Sequence, residues 1–405
     1  MTEVRQIRAE ELEESIEVNA TAFGDTRNAW WDEWVHRLIR PEMVLGAFED
    51  GRIVGTAAAL PATVNIPGGR CQVSAITGVG VLPTHRRRGL LRALMTEQLG
   101  RDRALGRPLA ILWASEGGIY GRFGFGIAAR RLKLAFETPE MKFIETSSPG
   151  SVRLVDREEA LRLMPQIYQR ALRDRPGPFT RDPTAWEALI DEKNPELPSA
   201  EAHHFFAIHG ADPDGYAIYR VRRGGWSGSF GPRSTAIVVE MVGDGPGPTL
   251  DLWRFLADLD LVHAVEARQR PIDEPLLWMA SDPQRIEVRA QVGIWAGILD
   301  VPGALRQRRY RQDGRLVLEV RDDFLPDRGG RFDLSVRAGE ATCEASTESP
   351  DIRLGLAELS SGYLGQSCYR ELARSGRLEE LTSDAALLLD RLLGWDPPPW
   401  CPEDF

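Results

Sequence analysis

The chain has 405 residues, 42% of them hydrophobic and 27% charged, with a formal net charge of −10. That length predicts two or three domains, and the acidic balance excludes nonspecific nucleic-acid binding, which needs clustered Lys and Arg. No apolar run reaches the ~20 residues of a membrane span, and the charged start MTEVRQIRAEELEES has no apolar signal core, so a cytoplasmic protein is expected.

Residues 3–20 read as a first helix, and Thr21–Trp34 as a loop or short helix rich in aromatics. Val44–Glu49, the turn Asp50-Gly51 and Ile53–Leu60 form a hairpin pattern. Gln72–Leu82 is a further strand that Pro83 stops. From Thr84 to about Leu105, Leu90, Leu91, Leu94 and Leu99 recur at helical spacing. Pro108–Ala114 is an apolar strand, and Ser115–Gly126 carries five glycines. This order of strands and helix is α/β organisation.

Residues 147–150 (Ser-Ser-Pro-Gly) look like a linker into a second unit. Helices are predicted near Arg157–Arg173, Pro183–Ile190 and Thr249–Leu261, with strands at Phe205–Ile208, Gly215–Val221, Thr235–Val242 and Leu276–Met279. The order parallels the first unit and suggests a degenerate duplication. A second boundary falls near Val301-Pro302-Gly303. Beyond it, Arg315–Val320, Gly330–Val336 and Ala341–Ala345 alternate like antiparallel strands, and helices are expected near Ile352–Leu359, Leu364–Ala373 and Ser383–Leu393. Domain boundaries are set at 1–148, 149–300 and 301–405.

Cys71, Cys343, Cys368 and Cys401 form no CxxC pair, which suggests isolated, reduced thiols. The six histidines form no HExxH-type set, so no metal is expected. The informative stretch is Val79-x-Val81-x-Pro83-x-x-Arg86-Arg87-Arg88-Gly89. A strand ends, a basic turn follows, and Gly89 opens a helix. Backbone N–H groups in such a turn, with the positive helix end and three guanidinium groups, suit a pyrophosphate. Neither GxxxxGK[ST] nor a GxGxxG after this strand is present, which excludes a Walker P-loop and a Rossmann fingerprint.

The stretch resembles motif A of the GNAT superfamily of N-acetyltransferases: Arg86-x-x-Gly89 matches its loop, although Leu91 stands where the pattern has a small residue. THRRRGLLRALM, together with Ser115-Glu-Gly-Gly-Ile-Tyr-Gly-Arg-Phe-Gly-Phe-Gly126, resembles the enhanced intracellular survival (Eis) family of actinobacterial acetyltransferases. The resemblance covers the whole chain. It implies an α/β (α+β) fold: tandem GNAT-like mixed sheets, the second without cofactor, then a sterol-carrier-like domain whose C-terminus reaches the active site. By the same resemblance the donor is acetyl-CoA, Val79 and Val81 pair with its pantetheine, Ser115 contacts it through the backbone, and the assembly is a homo-hexamer. The expected cofactor-binding set is Val79, Val81, Arg86, Arg87, Arg88, Gly89, Leu90 and Ser115. In the second unit the counterpart turn, between Val242 and Trp253, has no arginine, and its Asp244 and Asp251 would repel a pyrophosphate, so one cofactor per chain is expected.

The resemblance assigns Tyr120 as general acid; a phenol with an ordinary pKa of about 10 stays protonated at neutral pH and can donate to a departing thiolate. It assigns the base to the C-terminal carboxylate, here that of Phe405. Pro397, Pro398, Pro399 and Pro402 stiffen the ending, and Trp395, Trp400 and Phe405 offer apolar anchors, a composition that favours docking over disorder. Candidate substrate contacts are Phe23, Asp25, Trp30 and Trp34, with Trp31, Asp32 and Glu33 beside them, and Glu116, Glu403 and Asp404: π-faces and carboxylates suit a polyamine. The expected function is N-acetylation of small cationic amines, among them aminoglycosides at several positions. The alternatives are lysine acetylation on a protein, and a non-enzymatic acyl-CoA or lipid carrier. No membrane or nucleic-acid partner is expected.

Overall fold

The computed structural model describes residues 3–144, 150–191, 203–225 and 233–405. The linker read at 147–150 lies, apart from Gly150, outside the described residues. Two compact units divide the chain, and neither is continuous in sequence. Met1–Ala129, Gly293–Pro399 and Glu403–Phe405 form one; Arg130–Val292 and Trp400–Pro402 form the other.

In the first unit β1 (Glu3–Gln6), β2 (Val44–Glu49), β3 (Arg52–Ile66), β4 (Gly69–Val81), β5 (Leu109–Leu112) and β6 (Phe125–Ile127) are joined by a late strand, β14 (Trp295–Ile298). β14 inserts between β5 and β6. The β2–β3 turn has Asp50 at φ 50° and Gly51 at φ 77°, the positive pair that a tight hairpin demands. β1 corrects the helix expected from residue 3: Glu3–Gln6 pairs antiparallel with Leu45–Phe48, and the helix α1 starts only at Leu12 and ends at Phe23. Four residues carry too little periodicity to separate strand from helix, so the β2 edge decides. The remaining helices of this region are α2 (Ala29–Leu38), α3 (Leu90–Ala104) and the short α4 (Gly117–Tyr120).

In the same unit a five-stranded sheet follows, made of β15 (Gly314–Arg321), β16 (Gly330–Arg337), β17 (Glu340–Ala345), β18 (Ile352–Gly355) and β19 (Leu378–Glu380). The stretch 352–359, expected as one helix, splits instead. Ile352–Gly355 pairs in parallel with β15, and a helix occupies only Leu356–Gly362. That helix presses on the first sheet: a Cβ on Gly126 would lie 1.9 Å from the Ala357 carbonyl oxygen, so only glycine fits there.

The second unit has its own seven-stranded sheet, of β7 (Arg130–Glu137), β8 (Val152–Val155), β9 (His204–His209), β10 (Gly215–Arg222), β11 (Ser234–Gly243), β12 (Val262–Pro271) and β13 (Ile286–Val292). It carries α5 (Arg157–Ala171), α6 (Pro183–Leu189), α7 (Pro246–Ala257) and α8 (Leu276–Met279). The last of these corrects the strand expected at 276–279. Leu276 and Met279 are buried on one side while Trp278 is 84% exposed, the spacing of a helical turn opened after Pro275. The first unit also holds α9 (Val301–Gln307), α10 (Leu356–Gly362), α11 (Tyr369–Arg374) and α12 (Ala385–Leu393). Among the described residues no helix is long and apolar enough to cross a membrane.

Candidate active site

β4 and β5 run parallel and are paired from Val73↔Leu109 to Ile76↔Leu112, and there the pairing stops. Burial changes at the same point: Ile76 and Leu112 are buried, whereas Thr77 to Leu82 and Trp113 are half-buried. On its other side β4 keeps its bonds to β3, but two residues, Gly78 and Val79, stand opposite Ala57 alone, a β-bulge. The bulge is pinned: Asn19 Nδ2 donates to the Gly78 carbonyl at 2.8 Å and Thr56 Oγ1 donates to it at 3.0 Å. The strand therefore parts from its neighbour over Val79 and Val81 and offers an edge of main-chain groups. Asn19 and Thr56 escaped the sequence reading, since the first sits 59 residues from its partner.

The turn after β4 begins as a short 3-10 segment, Pro83–His85, and then takes positive φ at Arg87 (63°) and Gly89 (85°). Gly89 caps α3 without a side-chain bond, and no atom lies within 4 Å of where its Cβ would be. The first amides of a 15-residue helix thus stay open to an anion, at its positive end. The three arginines differ. Arg86 donates to the carbonyls of Val81 (3.3 Å) and Ala22 (2.7 Å), and Arg88 pairs with Glu49 at 3.0 Å. Among the described residues Arg87 has no such partner, which makes it the guanidinium available to an anion. Leu90 turns its side chain into the core.

Past β5, Ser115 and Glu116 are exposed, and α4 ends on Tyr120. The Tyr120 ring is 9% exposed, meets Phe125 edge-on at 6.1 Å and joins Ile76, Met95, Leu112 and Trp295 in one core cluster. Its hydroxyl has no hydrogen bond among the described residues. Burial, and secondarily the charge of Glu116, pushes its pKa up to about 12. Beside it in sequence, Trp113 Nε1 donates to the Glu403 carbonyl at 2.9 Å, which ties the chain end to the residue following β5. Glu403 and Phe405 are half-buried and Asp404 is exposed.

The expected substrate residues separate. Phe23 ends α1, 47% exposed, with its ring 3.6 Å from a Cβ built on Gly80 of the parted strand. Asp25 is exposed, as is Glu116. Trp30, Trp31 and Trp34 lie on α2, the helical of the two expected forms; Trp34 is half-buried, and the side chain of Trp30 lies outside the described residues. Asp32 and Glu33 are already engaged, with Arg27 at 2.8 Å and Arg37 at 2.6 Å. Arg27 also reaches Glu13 at 3.0 Å. These carboxylates serve the helix pair before they could serve an amine.

Residues 3–128 and 177–298 match acetyltransferase (GNAT) domain families, and residues 301–402 match a sterol carrier protein domain. N-acetyltransferase Eis of Mycobacterium tuberculosis is 34% identical over 368 residues, covering 87% of this chain and 86% of that protein. The chain belongs to the Eis family of GNAT N-acetyltransferases. An uncharacterized N-acetyltransferase of Streptomyces coelicolor is 33% identical across 100% of this chain and 99% of its own length. The crystal structure of Eis1 from Mycobacterium abscessus superposes with a TM-score of 0.86 at 30% identity, over 100% of both chains. The fold is the tandem GNAT and sterol-carrier arrangement expected from the resemblance, and the protein is an acetyltransferase.

In this Eis-type chain the second GNAT domain also has a pair of parallel strands that part. β11 and β12 are parallel-paired only from Ser234 to Val238, and β11 carries a bulge at Val239. Into the parted region comes Arg270, donating to the Met241 carbonyl at 2.5 Å and to Glu274 at 2.7 Å. Trp253 and Trp400 flank that guanidinium, each ring centre 5.7 Å away. At the following turn Asp244 is held by Arg170 at 2.5 Å, and Asp251 by His209 at 3.1 Å. That turn carries carboxylates, and the Arg270 guanidinium bonds to the parted strand. Titration calorimetry with coenzyme A is expected to give one site per chain, and Arg87→Ala is expected to weaken that site about tenfold, the value of one charge-assisted contact.

Proposed function

We propose that the protein transfers acetyl groups from acetyl-CoA to amines of small cationic molecules, aminoglycosides at several positions among them. The observation that carries this reading is the parting of β4 from β5, with Tyr120 packed in the same cluster as Ile76 and Leu112, the last paired residues. Acetyl-CoA supplies an acetyl thioester. The residues present fit its diphosphate: the first amides of α3 after Gly89, and Arg87, which has no partner among the described residues. The main-chain edge at Val79 and Val81 fits a pantetheine arm, and the Ser115 backbone is assigned a contact with the same cofactor.

Tyr120 holds a proton at its hydroxyl throughout the neutral range, ready for the sulfur that leaves. The Phe405 α-carboxylate holds the substrate ammonium and helps pass its proton to water. The thioester C–S bond breaks as the amide C–N bond forms; the nitrogen gives up two protons, of which one makes good the proton Tyr120 passes to the thiolate and the other is released. Asp25, Glu116 and Asp404 are exposed carboxylates, and with the net charge of −10 they favour a polycationic substrate. A cytoplasmic hexamer completes the proposal. Mass spectrometry of kanamycin and spermidine incubated with enzyme and acetyl-CoA is expected to show successive 42 Da additions, as follow from more than one amine reacting. Acetylation confined to protein lysines would replace this substrate class.

A further inference from the structure

The turn that follows Tyr120 is held partly from outside its own domain. Its carbonyl at Phe123 accepts from Arg328 Nη2 at 2.9 Å, and the next carbonyl, Gly124, accepts from Ser360 Oγ at 3.1 Å. Both donors come from the sterol-carrier-like region. Ser360 lies on α10 and also accepts from the Ile298 amide at 3.1 Å, so it joins the turn to β14. Arg328 sits after β15, with its side chain fully buried, and its Nε donates to buried Asp322 at 2.6 Å. Its Nη1 has no hydrogen-bond partner among the described residues.

Between these two donors the fit is close. Gly124 has φ 88°, and a Cβ there would stand 3.1 Å from Arg328 Nη2 and 3.0 Å from Leu356 Cδ2. Phe324, two residues beyond Asp322, meets Phe123 edge-on at 4.8 Å and belongs to the same core cluster as Tyr120. On its other side the Arg92 guanidinium of α3 stacks over Phe324 at 4.7 Å, and Arg103 of α3 pairs with Asp327. One loop, residues 322–329, thus touches both the helix whose start forms the anion site and the turn that carries the phenol.

A buried guanidinium is an expensive choice when stability alone is at stake, since apolar residues of similar shape often do as well. What it provides is direction: a planar donor holding a carboxylate and a carbonyl in fixed geometry. We infer that Arg328 and Ser360 are positioning residues of the transfer reaction, clamping consecutive carbonyls after Tyr120 so that its hydroxyl is aimed into the cleft. This rests on the reading of Tyr120 as the acid. It makes the sterol-carrier-like domain a working part of the acetyltransferase site, whether or not that domain ever holds a lipid.

The test uses the full chain carrying Arg328→Met or, should that variant fail to fold, the milder Ser360→Ala. Amide hydrogen exchange, which needs no acceptor, is expected to speed up about tenfold over residues 117–126 and to stay unchanged over Leu90–Ala104. With kanamycin as acceptor, kcat is expected to fall about tenfold while the KM for acetyl-CoA stays within about twofold. In a Tyr120→Phe background the same substitution should cost less than about twofold, because the group being aimed is gone. Unchanged exchange, or a loss that simply adds to that of Tyr120→Phe, would overturn the inference and leave the two residues as domain glue. If Tyr120→Phe alone keeps full kcat, the fault lies with the acid reading instead.

Discussion

Replacing Tyr120 by Phe is expected to lower kcat about 100-fold and to leave the Kd for acetyl-CoA within about twofold of the parent, the loss typical of removing a general acid. The substitution keeps the ring that packs with Ile76, Leu112 and Phe125 and deletes only a hydroxyl that bonds to no described residue. Folding should therefore be spared, and the thermal midpoint should stay put. The sign of the pH dependence follows from the environment. Burial lifts the phenol to about 12, so its acid form persists throughout the neutral range and is lost only as pH climbs toward that value. Wild-type kcat should accordingly show no basic limb from this group below that region. Steady-state kinetics with parallel calorimetry decides the matter, and undiminished kcat removes Tyr120 from the chemistry.

Extending the chain beyond Phe405 with a short Gly-Ser tail is expected to reduce kcat/KM at least about 50-fold without shifting the thermal midpoint, because only a charged group is lost. The anchors lie upstream and survive the extension. Trp400 and Cys401 are each 2% exposed, the Trp400 amide donates to the Pro176 carbonyl at 2.9 Å, and Trp113 holds the Glu403 carbonyl. What the tail changes is the final carboxylate, which becomes a neutral amide unable to attract an ammonium. Deleting Phe405 alone, which moves the carboxylate one residue back, should be nearly as damaging. An extended enzyme with full activity would assign the base elsewhere.

The cradle was readable because it is local. A strand stopped by Pro83, a basic turn and a glycine opening an amphipathic helix all lie within a dozen residues, and their backbone geometry follows from residue type. Tyr120 stood out only through the family resemblance, since a tyrosine after Gly-Gly-Ile reads by itself as a packing residue. Less legible was what each arginine does. Arg86 looks like a phosphate ligand in sequence, yet it clamps the Ala22 carbonyl 64 residues away. Asp32 and Glu33 look like substrate carboxylates until Arg27 and Arg37 are found against them. Partner choice among like charges depends on distances that no spacing rule supplies.

The sequence alone settled the strand–turn–helix after Val79 and the absence of arginine from the second domain's corresponding turn. Both are consequences of short-range backbone preference and of which charges are present. Only the tertiary structure decided that β14 enters the first sheet and β7 the second, that Asn19 and Thr56 pin the bulge, and that Arg270 fills the second cleft. It alone brought Arg328 and Ser360 to the turn behind Tyr120. The physical reason is that a four-residue apolar strand such as Leu109–Leu112 or Trp295–Ile298 can pair with many others. The partner is chosen by how the buried side chains pack, a property of the assembled chain.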